Sequence, residues 1–140
     1  MRIVFDTNIY ISAALHGRQA ETILELASSR QLALLISPAI LDELKGKLLD
    51  KLNWTGKQTE FFLATIQNLT EMIEPQERLS VVSDDDDNRI LECAIAGQAD
   101  LIVTHDQDLL RLKSYETVGI VTPRELTFYG FDRGAEANSH

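Results

Sequence analysis

Cys93 is the single cysteine of the chain, so no internal disulfide can hold the protein together. Its place in the run Ile90-Leu91-Glu92-Cys93-Ala94 marks it as a small core side chain rather than a reactive thiol. Three prolines and seven glycines are too scattered to build a linker, and no repeat or low-complexity segment divides the 140 residues. One domain is therefore expected over residues 1–132, with the small polar residues 133–140 as a flexible C-terminal tail. No apolar run reaches membrane-spanning length, and the opening Met1-Arg2-Ile3-Val4-Phe5-Asp6 meets an acid before a long apolar region can form. A cytoplasmic protein with no membrane partner is expected. Positive charge is also scarce: 13 Lys and Arg stand against 22 Asp and Glu, for a net charge of -9. Such a chain has no broad basic face with which to hold nucleic acid. The exclusion weakens if the acid is concentrated at a site that carries divalent cations, because each ion removes two charges and can bridge to phosphate.

What the chain has in abundance is acid, gathered at Ser83-Asp84-Asp85-Asp86-Asp87-Asn88. Adjacent carboxylates repel one another unless water solvates them or a cation neutralises them. One reading is a bound metal ion; the other is a solvated loop that caps the next helix. Elsewhere, Ile3-Val4-Phe5, Leu32-Ala33-Leu34-Leu35-Ile36, Leu101-Ile102-Val103 and Val118-Gly119-Ile120-Val121 are apolar on both faces, the mark of buried parallel strands. A short strand near Met72-Ile73 adds a fifth. Helical patterns at 9–15, 20–28, 38–52, 57–69 and 87–96 lie between the strands, and Thr122-Pro123 starts a last helix. The alternation predicts an α/β fold, a three-layer α/β/α arrangement with a central parallel sheet of four to five strands.

In such a sheet, ligands gather outside the carboxyl ends of the strands. Asp6 follows the first strand, and Asp106 and Asp108 follow the strand that ends near Thr104. At about 100° per residue, Asp87 lies within roughly 10–20° of the mean direction of Ile90, Leu91 and Ala94, so it faces inward. Asp84 and Asp85 precede the helix and either cap it or stay in water, Asp86 is ambiguous, and Glu92 falls off the core face. Asp42 and Glu43 flank the apolar stripe of the 38–52 helix on opposite sides, and periodicity does not choose between them. Clusters of Asp and Glu without His or Cys suit Mg²⁺ or Mn²⁺ and suit zinc poorly. A doubled ion site of this kind can activate water, shield phosphate oxygens and stabilise a leaving alkoxide, as phosphodiester hydrolysis requires. An EF-hand is excluded because the Gly and the terminal Glu fall in the wrong places. A phosphohydrolase with Asp6 as nucleophile is disfavoured because Asn8, not Asp, stands two residues on.

Taken in order, Ile3-Val4-Phe5-Asp6-Thr7-Asn8, Ser37-Pro38-Ala39-Ile40-Leu41-Asp42-Glu43-Leu44, the stretch 84–94, Val103-Thr104-His105-Asp106-Gln107-Asp108-Leu109-Leu110 and Thr122-Pro123 resemble a PIN domain. The resemblance spans nearly the whole chain and is nearest to the PIN-family toxins of bacterial type II toxin–antitoxin systems, of the virulence-associated protein C type. It implies that Asp6, Glu43, Asp87 and Asp106 form a catalytic metal site for Mg²⁺ or Mn²⁺, with Asp108 as a fifth metal carboxylate. It also implies supporting roles for Asn8, which would orient Asp6 or cap a helix, and for the hydroxyl of Thr104. Asp85 stands where a proline is common and His105 where glycine or a basic residue is frequent; neither change removes a ligand. The implied activity is that of a metal-dependent endoribonuclease, with RNA as substrate and an antitoxin protein and a second copy in a homodimer as partners. Lys45, Lys47, Lys51 and Lys57 form a solvated helix face or track phosphates, and Phe61, Phe62, Ile66 and Leu69 form an apolar face that belongs to the core or is shared with a partner. The alternative is a non-catalytic PIN-like or receiver-like metal-binding module.

Overall fold

The computed structural model describes residues 1–15, 18–29 and 31–126, so the expected domain end and the tail at 133–140 lie outside the described residues. The apolar runs form strands β1 (Arg2–Phe5), β2 (Ala33–Ile36), β4 (Leu101–Val103) and β6 (Val118–Val121), and β3 (Thr70–Met72) joins them. All five are parallel, and β5 (Ser114–Tyr115) adds an antiparallel edge to give a sheet of order β3-β2-β1-β4-β6-β5. The sheet is thus one strand wider than expected; two residues of mixed polarity carry no periodic signal from which β5 could be read. β1, β2 and β4 are buried on both faces, as helices on both sides of a three-layer α/β/α fold require.

After β2, each crossover helix starts where its sequence supplies a cap. α1 (Thr7–Leu15) and α2 (Arg18–Ser28) join β1 to β2. α3 (Pro38–Asp50) has Ser37 as N-cap, its hydroxyl accepting from the Ile40 amide at 3.3 Å, and Pro38 in its first turn, where a missing N–H costs nothing. α4 (Gly56–Leu69) opens on a reciprocal capping box between Thr55 and Gln58. α5 (Asp85–Ala96) begins two residues earlier than the apolar pattern indicated, with Asp84 as N-cap accepting from the Asp86 amide at 3.0 Å. Asp85 is therefore the first helical residue and does not precede the helix, because a short acid tolerates the first turn and favours the helix dipole. After β4 comes the four-residue α6 (Gln107–Leu110), capped by Asp106, and the last helix α7 (Pro123–Leu126) is boxed by Thr122 and Glu125.

From β1 the chain builds outward to β2 and β3, then returns to place β4 on the other side of β1. The direction of winding therefore reverses between β1 and β4. That reversal opens a crevice at their carboxyl ends. α5 makes the return and packs over β1, β2 and β4. Its C-terminus is tightly seated: a Cβ on Gly97 would stand 2.7 Å from Leu35 Cδ1 and 3.1 Å from both the Cys93 carbonyl and Ile73 Cγ1. Gly97→Ala is expected to lower stability by about 1–3 kcal/mol through overpacking. Gly46, in mid-α3 with open space around it, should gain about 0.5–1 kcal/mol on the same substitution. Urea midpoints at constant m-value check both; equal midpoints for the two variants would refute the packing argument.

Candidate metal centre

The crevice between β1 and β4 is lined by carboxylates that their own backbone delivers. Asp6 continues β1, its amide donating to the Val103 carbonyl at 3.0 Å, so the residue is anchored in the sheet although its side chain has left it. Thr104 holds the matching place beyond β4, tied to β6 by its amide at 2.9 Å from the Val121 carbonyl. Two residues later Asp106 caps α6, its Oδ1 accepting from the Asp108 amide at 2.8 Å and the Leu109 amide at 3.4 Å. Asp87, in the first turn of α5, turns inward as the helical arithmetic indicated and is 4% exposed. One oxygen from each of Asp6, Asp87 and Asp106 lies within 4.8 Å of the others.

Two hydroxyls organise the Asp6 end. Thr104 Oγ1 donates to Asp6 Oδ2 at 2.8 Å and accepts from the Asp106 amide at 2.9 Å, so one buried side chain fixes both acids. Thr7 Oγ1 lies 3.4 Å from Asp6 Oδ1, to which it donates. Asp87 has no such support: its Oδ2 is buried and makes no hydrogen bond. Burial, followed by the charges of Asp106, Asp84 and Asp6, pushes its carboxyl up to about 8. Three carboxylates in this arrangement, one of them carrying an orphaned buried acceptor, fit a hard divalent cation, which would supply the missing partner.

The remaining candidates are distributed around the tripod. Glu43, half-buried on α3, lies outside the 4.8 Å cluster and pairs instead with Lys47 at 3.1 Å. Burial raises its carboxyl, Lys47 opposes this, and the charges of Asp86 and Asp6 add to the rise, which places Glu43 within electrostatic reach of the centre. Asp108 points outward and pairs with Arg111 at 3.0 Å. Asn8 lies exposed in the first turn of α1; its Oδ1 accepts from Lys47 Nζ at 3.2 Å, while Thr7 occupies the position beside Asp6. Asp84, Asp85, Asp86 and His105 are exposed. Glu92 is buried rather than off the core: it pairs with Arg89 at 2.8 Å and accepts from the Leu79 amide at 2.8 Å, because residues 79–82 fold over that face of α5. Sequence reasoning missed Thr7, which its place between two candidate residues could have suggested. It also missed the Lys47 contacts, which no local pattern signals.

An acidic centre at the switch point of a doubly wound sheet defines the class of protein. The chain belongs to the PIN domain family, whose model matches residues 2–108. An uncharacterized protein of Methanocaldococcus jannaschii, MJ1680, is 30% identical over 118 residues, which cover 81% of this chain and 76% of that protein. Among solved structures, the fold matches a chain of VapBC2 from Rickettsia felis bound to a DNA fragment from its promoter, with a TM-score of 0.64 and 20% identity. That match covers 86% of this chain and 97% of the other.

The raised carboxyl of Asp87 has a definite consequence for stability. Between the ordinary carboxylate value of about 4 and the raised value of about 8, the folded protein holds a proton that the unfolded chain has released. Stability is then fully present below the lower value and falls as pH rises through that window. In EDTA, the melting temperature of the wild-type protein should decline from pH 5 to pH 8 more steeply than that of Asp87→Asn, and Mn²⁺ should flatten the wild-type profile. Parallel profiles for the two proteins would show that Asp87 carries no such penalty.

Proposed function

We propose that this chain is a Mg²⁺- or Mn²⁺-dependent endoribonuclease that hydrolyses RNA phosphodiester bonds and acts as the toxin of a toxin–antitoxin pair. The observation that carries the reading is the tripod of Asp6, Asp87 and Asp106 with its orphaned buried oxygen. Asp6, Asp87 and Asp106 would hold the ion, Glu43 would complete the acidic set from α3, and Asp108 would join if it left Arg111. A bound divalent cation supplies positive charge for the phosphate and lowers the pKa of water at the site. Thr104 holds Asp6 in one orientation and Asp106 in register with it, so the carboxylates need little reorganisation as charge develops on the phosphate. Attack by water would break the P–O3′ bond, leaving a 5′-phosphate and a 3′-hydroxyl.

Support for the toxin role comes from family membership and from the likeness in fold to a chain of VapBC2. An antitoxin protein and a second copy of the chain are the proposed partners, with the cytoplasm as their setting. Phe61, 77% exposed on α4, is the large apolar residue most open to such a contact among the described residues, whereas Ile66 is buried and Phe62 packs edge-on against Trp54. Lys45, Lys51 and Lys57 are exposed around the end of α3 and the start of α4, where a strand of RNA can reach them.

The purified protein should cleave single-stranded RNA with Mn²⁺ and lose activity in EDTA. Asp6→Asn and Asp87→Asn should each lower the rate by about 100-fold or more. Asp84→Asn should stay within about twofold, because Asn caps a helix as well as Asp does. Equal losses from Asp84→Asn and Asp87→Asn would overturn the assignment within the acidic run. Tight Mn²⁺ binding without cleavage above the Asp6→Asn level would instead identify a binding module.

A further inference from the structure

Lys47 was grouped in the sequence with exposed lysines, but its ammonium is turned into the molecule. Nζ contacts Glu43 Oε2 at 3.1 Å, Thr7 Oγ1 at 2.8 Å and Asn8 Oδ1 at 3.2 Å, so all three of its donors are used. Because an ammonium can only donate, the Thr7 hydroxyl must accept from Lys47 and is free to donate onward to Asp6 Oδ1. The cation is therefore two hydrogen bonds from the tripod and is bound directly to Glu43, one of the two predicted ligands that stand outside it. Its side chain is 18% exposed and that of Glu43 17%, so neither floats free in solvent.

We propose that Lys47 is the resident counter-ion of this centre, holding Glu43 in reserve and surrendering it when a divalent cation enters the tripod. Lys47 is a positioning residue, and its role rests on the reading of the tripod as a metal site. Without a divalent ion, the ammonium offsets part of the repulsion that Glu43, Asp6 and their neighbours exert on one another. With the ion bound, its two charges replace the one of Lys47 as partner to Glu43, and Lys47 becomes a like charge beside the ion. The exchange sets a threshold: the ion must outcompete an existing ion pair to gain its fourth carboxylate.

Calorimetric titration of the full chain with MnCl₂ at pH 7.5 tests this exchange, with circular dichroism melts to confirm folding. Lys47→Met should bind Mn²⁺ about three- to tenfold more tightly than wild type, whereas a merely structural lysine would leave affinity unchanged or reduced. Lys47→Arg, which keeps the charge, should stay within about twofold of wild type and guards against a folding defect in the Met variant. In a Glu43→Gln background the gain from Lys47→Met should shrink, since no carboxylate remains to be exchanged. An unchanged or weaker affinity in Lys47→Met, or an equal gain in both backgrounds, would overturn the exchange while leaving the metal site standing. If the wild-type protein bound no Mn²⁺, the metal-site reading and this proposal would fall together.

Discussion

The structure depends on holding three carboxylates within 4.8 Å of one another against their mutual repulsion. Such a cluster persists only if the backbone that delivers each acid is fixed by interactions stronger than the repulsion. Asp6 is fixed by the sheet, Asp106 by capping α6, and the pair by the Thr104 hydroxyl between them. Asp87 is fixed by its amide, which donates to the Asp84 carbonyl at 3.1 Å in the first turn of α5, but its buried Oδ2 finds no donor, and burial with the charges of Asp106, Asp84 and Asp6 pushes its carboxyl far upward. The strain is thus concentrated on the acid whose oxygen lacks a partner, where a bound cation relieves it most.

The placement of Asp87 depends in turn on the irregular segment before α5, which polar side chains of that helix tie down. Asn88, 1% exposed, accepts from the Val81 and Val82 amides at 2.9 and 3.0 Å through Oδ1, and donates to the Val82 carbonyl at 2.8 Å and Asp85 at 3.1 Å through Nδ2. Arg89 reaches the Leu79 carbonyl at 3.0 Å, and Glu92 takes the Leu79 amide. Three successive polar positions of α5 thus serve as partners for a segment with no strand or helix of its own. Buried polar networks of this kind specify one arrangement sharply, because any other leaves several groups unsatisfied. The cost is visible at Arg89 Nε, which is buried without a partner.

How much of this was legible in the chain follows from the range of each interaction. β1, β4 and β6 could be read almost to the residue because a parallel strand buried on both faces is a continuous apolar run. The inward turn of Asp87 was legible too, since it needs only the helical period and its neighbours Ile90, Leu91 and Ala94. α6 was not, because four residues do not complete an amphipathic repeat. Glu92 was misplaced for a related reason. Periodicity scores polarity, so a buried acid whose partners are an arginine and a loop amide looks the same as one in water. The contact from Lys47 to Thr7 spans forty positions, and only the crossing of α3 over the start of α1 brings them together.

The acidity of the whole chain then has a local explanation. A net charge of -9 repels RNA at long range, but the acids Asp84, Asp86, Asp87, Asp6, Asp106 and Glu43 gather along one edge of the sheet. In the reading proposed here, divalent ions bound at that edge turn the most repulsive part of the surface into the part that attracts phosphate. Lys45 on α3, Lys51 at its C-cap and Lys57 at the start of α4 are exposed, on or just beyond the helix that carries Glu43. Affinity for nucleic acid would then be gated by the metal and not by net charge, since the exposed lysines alone cannot overcome the bare carboxylates. In that reading, the charge distribution holds RNA off while the centre is empty and draws it in once the centre fills.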